Sequence, residues 1–139
     1  MNRGEIIELE ITGFAFGGNG IAKIPTEDGD YVVFVENAFP GQKVRAKVEK
    51  KKKRYAECKL IEVIQRSPQE VELDVQEISG APYIFVPLEI QEAWKKSTTL
   101  DLYRKIADIQ NGEEIFDTFI SSPLNYNYRN KMEYSFSSI

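Results

Sequence analysis

The sequence predicts a mainly β chain with one long helix, an α+β arrangement in which a small five-stranded barrel comes first. Short segments of alternating polar and apolar residues recur through the first 65 residues, with glycine or proline turns between them. Apolar residues then recur every three or four positions from about 88 to 110, which is typical of an amphipathic helix. The last residues alternate again, so we expect a terminal strand of an incomplete second domain.

The barrel strands follow from the alternation. In the first strand, over about residues 4–13, apolar Ile7, Leu9 and Ile11 alternate with polar residues. Glycines at Gly17–Gly20 and in Glu27–Asp30 predict turns between strands rather than phosphate-binding loops. The remaining strands are predicted at residues 21–24, 31–35, 42–49 and 55–64. Five strands at this spacing predict a closed or nearly closed barrel of the OB or SH3-like type.

Proline at Ser67-Pro68 ends the last barrel strand, since it cannot continue a hydrogen-bonded ladder. We therefore expect three parts: a barrel over residues 1–65, an acidic connector over 66–87, and a helix with the start of a second domain over 88–139.

The helix is expected to run from about residue 88 to 110 and to stop at Asn111-Gly112. Its apolar stripe comprises Ile90, Trp94, Thr98, Leu102, Ile106 and Ile109. The terminal strand is predicted over Tyr126–Ile139, where Met132, Tyr134 and Phe136 alternate with polar residues. An isolated strand is not stable, so we expect the chain to be truncated.

Composition narrows the chemistry. The 139 residues include one cysteine, Cys58, and no histidine. One cysteine excludes an internal disulfide and a self-contained iron–sulfur cluster, and the lack of histidine removes the usual base near neutral pH. Alternation places Cys58 on the core face of its strand. No run of about 18 apolar residues predicts a membrane span, and no signal peptide is recognised, so a cytoplasmic location is expected.

Basic residues concentrate on one predicted hairpin. The formal charge is −4 overall, but residues 43–54 contain eight basic side chains against the single Glu49. Clustered cations bind RNA phosphates by releasing counterions, and a flanking aromatic ring can stack on a base. We expect Tyr55 and Phe16 to stack, whereas Phe14 and Phe34 are expected in the core. The predicted phosphate contacts are Lys43, Arg45, Lys47, Lys50, Lys51, Lys52, Lys53 and Arg54.

These residues carry a family resemblance. Gly20-Ile21-Ala22, Val33-Phe34-Val35, Phe39-Pro40-Gly41-Gln42 and the lysine hairpin with Tyr55 resemble a TRAM domain, an RNA-binding barrel. Ser67-Pro68, the long helix and the motif from Tyr128 to Phe136 resemble the S-adenosylmethionine-dependent RNA uracil-C5 methyltransferases. The resemblance covers the whole chain but only the N-terminal third of such an enzyme.

The resemblance implies a division of labour. The parent enzyme would use S-adenosylmethionine, while this chain would lack the catalytic residues and position rRNA or tRNA for a missing C-terminal catalytic domain. Arg129 and Lys131 of the family motif would face the RNA or that domain. Many members carry a four-cysteine iron–sulfur cluster after the Ser-Pro step, but here Ala81-Pro82-Tyr83 stands about where Cys-Gly-Gly would be. The chain therefore resembles a cluster-free branch.

Two alternatives remain open from the sequence. One is a stand-alone RNA-binding adaptor or chaperone with no enzymatic partner domain. The other is a protein-interaction barrel whose basic tip, otherwise a solvated hairpin, meets an acidic partner. Salt-dependent RNA binding distinguishes the protein-interaction barrel from the adaptor and from the methyltransferase fragment.

Overall fold

The computed structural model describes residues 1–74, 81, 83–128, 131 and 133. Six strands form one mixed sheet in the order β1-β5-β6-β4-β3-β2. Only β4 and β6 are parallel; the other neighbours are antiparallel. The strands are β1 (Ile6–Glu10), β2 (Gly13–Phe14), β3 (Gly20–Thr26), β4 (Gly29–Glu36), β5 (Lys43–Lys51) and β6 (Tyr55–Gln65).

The first predicted strand divides into two because it contacts both edges of the sheet. β1 lies against β5, whereas β2 lies against β3 at the other edge. Between them, the Ile11 amide donates to the Gln42 carbonyl at 2.9 Å and the Thr12 amide donates to the Ile21 carbonyl at 2.8 Å. The sheet therefore curls into a barrel-like shape without closing. The α+β prediction is confirmed, with six strands in place of five.

The core lies inside the curled sheet. Val33, Val35, Val44 and Val48 are almost completely buried, and the residues between them point outward. Cys58 is buried with them, as predicted. The prediction that Phe34 is a core residue is wrong, because Phe34 alternates with buried Val33 and Val35 and so projects from the outer face of β4.

The long helix, α1 (Leu88–Ala107), ends earlier than predicted. Asp108 takes a left-handed conformation with φ of 54°, which stops the helix before Asn111-Gly112. Gly112 instead begins a short second helix, α2 (Gly112–Ile115). The predicted stripe is only partly covered, since Trp94 is half-buried and Ile106 is 77% exposed.

An aromatic cluster fixes α1 to one end of the barrel. The Trp94 ring lies 5.1 Å from Phe14 and 6.1 Å from Phe39, between ring centroids. The Tyr83 ring makes edge contacts with Phe14 and Phe39, and its hydroxyl donates to the Gly18 carbonyl at 3.0 Å. The connector thus binds the turn between β2 and β3 and holds the helix against the same end.

A buried polar network joins the β4–β5 loop to the connector. The Phe39 amide donates to Gln42 Oε1 at 2.9 Å, and Gln42 Nε2 donates to Glu70 Oε1 at 2.7 Å. The Ser67 amide donates to the same Glu70 oxygen at 2.9 Å. Gly41, whose φ is 88°, lets the loop approach Ser67, because an added Cβ would lie 2.6 Å from Ser67 Oγ.

The predicted terminal strand is largely untested. Residues 126 and 127 lie in a bend and residue 128 is not in a strand, and most of the remaining residues, including Met132, Tyr134 and Phe136, lie outside the described residues. Within the described part of the chain, neither helix is long and apolar enough to cross a membrane.

Candidate nucleic-acid interface

The basic tip is the short connection between β5 and β6. Lys52, Lys53 and Arg54 form it, and all three side chains are exposed. The Lys52 amide donates to the Tyr55 carbonyl at 2.8 Å, closing the turn. The Tyr31 hydroxyl lies 2.8 Å from the Lys52 carbonyl and 2.7 Å from the Tyr55 carbonyl, and so braces the tip from β4. The cations are therefore presented on a fixed backbone.

Three of the predicted phosphate-binding residues are already paired with carboxylates. Arg45 lies 2.7 Å from Glu62 and 3.4 Å from Glu8, and Lys43 lies 3.7 Å from Glu8. Lys50 donates to Glu57 at 2.8 Å, and this hydrogen bond raises the pKa of the lysine. These side chains contribute less to the local positive field than the sequence predicted, because each faces a nearby negative charge.

The basic side chains that have no carboxylate partner among the described residues supply the local positive field. Lys51 donates to the Met1 carbonyl at 2.8 Å, which does not neutralise it. Within the described residues, no carboxylate forms an ion pair with Lys47, Lys51, Lys52, Lys53, Arg54 or Lys59. Lys59 was missed by the sequence reasoning; its position on the outer face of β6, two residues beyond Glu57, was the available signal.

The two predicted stacking residues lie at different places. Tyr55 begins β6 beside the basic tip, with its ring 5.8 Å from that of Phe34 at an interplanar angle of 75°. Phe16, 63% exposed, lies in the turn before β3. That turn leads into Gly20, which pairs with Val35 near the end of β4, whereas Tyr55 pairs with Val32 near the middle of β4. About three residues of strand, roughly 10 Å, separate these two positions on β4, so the structure pairs Tyr55 with Phe34 and not with Phe16.

Of Arg129 and Lys131, the two basic residues of the family motif, only Lys131 is among the described residues. Arg129 lies outside the described residues. Lys131 forms an ion pair with Glu133 at 2.6 Å, and both side chains are highly exposed.

A cavity of about 700 Å³ opens below the tip, where the sheet fails to close between β1 and β3. Ile7, Ile24 and Tyr31 line its apolar part, and Glu5 and Lys51 lie among its polar residues. No group of three or more histidine, cysteine or acidic side chains in the described ranges is placed to hold a metal ion. Burial raises the pKa of the Cys58 thiol to about 11, so this thiol is a poor nucleophile at neutral pH.

Known proteins resemble this chain in two ways, over the barrel alone or over nearly the whole chain. Residues 1–61 match the family described as TRAM domain. A protein of Clostridium tetani named uncharacterized RNA methyltransferase is 34% identical over 100% of this chain and 30% of its own length. One of the same description from Caldanaerobacter subterraneus is 36% identical over 99% of this chain and 30% of its own length.

A eukaryotic relative carries a more specific name. The tRNA (uracil(54)-C(5))-methyltransferase of Saccharomyces cerevisiae is 29% identical over 92% of this chain and 22% of its own length. The chain thus spans under a third of the length of these relatives. The predicted resemblance to the N-terminal part of RNA methyltransferases is confirmed, and the first 61 residues of the chain match the TRAM domain family.

Proposed function

We propose that this chain is the RNA-binding N-terminal part of an S-adenosylmethionine-dependent RNA uracil-C5 methyltransferase that acts on 23S rRNA or tRNA. Within it, residues 1–65 are the RNA-binding barrel, residues 66–87 the connector, and residues 88–139 the start of a central domain. The observation that carries the proposal is the braced tip Lys52–Arg54, which concentrates unpaired cations at one end of a TRAM domain.

The charge distribution supports phosphate binding rather than a merely solvated hairpin. A polyanion gains affinity from each cation that displaces a condensed counterion, and a cation already paired with a carboxylate offers less. Lys47, Lys59 and the residues from Lys51 to Arg54 are free to make such contacts. Lys43, Arg45 and Lys50 are assigned a secondary role, because binding RNA would require them to exchange Glu8, Glu62 or Glu57 for a phosphate.

The methyl donor does not fit the described residues. Nucleotide-like cofactors commonly bind where a glycine-rich loop leads from a strand into a helix, so that backbone amides face the ligand. Gly17–Gly20 instead joins β2 to β3, and the Tyr83 hydroxyl bonds the Gly18 carbonyl. We therefore assign S-adenosylmethionine, and the transfer of its methyl group, to a part of the parent protein outside this chain.

The binding experiment replaces the tip with neutral side chains. In the variant Lys52→Ala/Lys53→Ala/Arg54→Ala, the affinity for single-stranded RNA should fall, and the slope of log K against log salt should drop by about 2, at about 0.7 per lost contact. The control is Lys95→Ala/Lys105→Ala, which removes exposed cations from α1. Equal affinity and slope for the tip variant and the wild-type chain would refute the assignment of the tip.

A second measurement addresses the reaction. The longer protein containing this chain, supplied with S-adenosylmethionine carrying a labelled methyl group, should label the C5 position of uracil in unmodified tRNA or 23S rRNA. The RNA that accepts the label identifies the substrate. Salt-steep RNA binding with no transfer to either RNA would favour the stand-alone adaptor.

A further inference from the structure

We propose that the outer face of β4, β5 and β6 holds one unpaired nucleotide, its base against Phe34 and Tyr55 and its phosphate between Lys47 and Lys59. This inference rests on the proposed RNA binding and deepens it, because it identifies single-stranded RNA with an exposed base as the ligand. A duplex would offer the phosphates but not the base.

The base-binding part of the site is an aromatic corner. Phe34 and Tyr55 project from neighbouring strands onto the outer face, and their rings are nearly perpendicular. A flat base lying parallel to one ring therefore stands across the other and contacts both. Among the described residues, the Tyr55 hydroxyl has no hydrogen-bond partner and remains available to the base or sugar. Aromatic rings stack on any base, so this contact requires an unpaired nucleotide rather than a particular sequence.

The corner is partly open to solvent. Ile21 and Val32 extend the same apolar outer surface beside the two rings, and all four side chains are only half-buried. The helix α1 packs through Trp94 against Phe14 and Phe39, and among the described residues no ring contact joins it to Phe34 or Tyr55. The four side chains therefore keep part of their surface accessible to a ligand.

The phosphate-binding part of the site is a pair of opposed lysines. Lys47 of β5 and Lys59 of β6 are direct partners in the antiparallel register, and both are exposed beside neighbours that are buried or half-buried. Like charges placed opposite each other destabilise a sheet, and a bound anion between them removes that cost. Glu36 lies opposite Lys59 on β4, but no ion pair joins these two described residues.

The two parts lie within the span of one nucleotide. Phe34 is in register with Glu57, and Lys59 is the next outward residue along β6. That step is about 7 Å, which a nucleotide bridges between its base and its phosphate. Glu57 lies between them but is held by Lys50 at 2.8 Å, so its charge is compensated. One nucleotide can therefore place its base against the two rings and its phosphate between the two lysines at the same time.

The test compares oligouridylate with the matched abasic oligomer, which keeps the sugar–phosphate chain and lacks the bases. Phe34→Leu keeps the side chain apolar but removes the ring, and should weaken oligouridylate binding roughly 5- to 100-fold while leaving the abasic oligomer unaffected. Tyr103→Ala is the control, because Tyr103 is an exposed aromatic residue on α1. It should bind both oligomers as the wild-type chain does.

Lys59→Ala tests the phosphate-binding part. It should lower the salt slope for both oligomers by about 0.7 without lowering the melting temperature, since it relieves the opposition to Lys47. Lys105→Ala on α1 is the charge-matched control. These readouts separate a lost contact from a lost fold.

The outcomes distinguish this site from the proposed function. Binding of oligouridylate by the wild-type chain that is unchanged in both Phe34→Leu and Lys59→Ala would overturn the site and leave the basic tip standing. Equal binding of oligouridylate and the abasic oligomer by the wild-type chain would likewise overturn the stacking contact. Absence of RNA binding by the wild-type chain would overturn both proposals.

Discussion

The Gln42–Glu70 contact predicts that a single buried amide stabilises the junction between the barrel and the connector. Gln42 is 2% exposed, accepts from the Phe39 amide and donates to Glu70 Oε1. The substitution Gln42→Ala removes both bonds at once. It leaves the Phe39 amide without its acceptor and takes one donor from a carboxylate whose side chain is 6% exposed.

The magnitude follows from the two bonds. A hydrogen bond to a charged group contributes about 1.5–3 kcal/mol, and leaving a buried donor unsatisfied costs about 1–3 kcal/mol. The Ser67 amide still donates to Glu70, which limits the loss at the carboxylate. We expect Gln42→Ala to lower the free energy of unfolding by about 3–4 kcal/mol, a large part of the 5–15 kcal/mol typical of a domain.

Urea unfolding followed by far-UV circular dichroism provides the assay. With a slope of about 2 kcal/mol per molar urea, the midpoint should fall by roughly 1.5–2 M. Gln65→Ala is the matched control, because Gln65 is an exposed glutamine at the end of β6, and it should change the midpoint little. A loss below 1 kcal/mol in Gln42→Ala would refute the reasoning that this network holds the junction.

The remaining predictions concern the half-buried Trp94 and the buried Cys58. Trp94→Ala removes the ring contacts with Phe14 and Phe39, and should lower the unfolding free energy by about 2–3 kcal/mol while leaving the salt slope of RNA binding unchanged. A changed salt slope would contradict the conclusion that the aromatic cluster around Trp94 is separate from the basic tip. Because burial raises the pKa of Cys58 to about 11 from 9.0, its stabilising contribution is complete below pH 9 and is lost as the pH rises toward 11. At pH 8, iodoacetamide should alkylate Cys58 at least 10-fold more slowly in the folded chain than in urea, since only the thiolate reacts; equal rates would contradict its burial.

Local patterns predicted most of the strands. A period of two residues, broken by glycine turns, places β3, β4, β5 and β6 close to where they lie, because each strand buries one face and exposes the other. The same pattern assigned Cys58 to the core. The helix was predicted from its apolar period, but its end was misplaced, because Asp108 adopted the left-handed conformation that the sequence suggested for Asn111-Gly112.

Contacts between strands were not visible in the local pattern. Phe34 was expected in the core because aromatic residues usually are, although its own alternation with Val33 and Val35 placed it outside. The opposition of Lys47 and Lys59 depends on the register of β5 and β6, which contains irregular shifts. The pairing of Arg45 with Glu8 and Glu62 similarly joins residues far apart in the chain.

The sequence by itself determined the α+β class, the burial of alternate strand residues and the concentration of basic residues in one hairpin. These follow from the spacing of neighbouring residues along the chain. Only the tertiary structure decided which cations keep an uncompensated charge, that Tyr55 meets Phe34 rather than Phe16, and that Gln42 reaches Glu70. Each depends on register and on the curl of the sheet, which bring distant residues within a few ångströms.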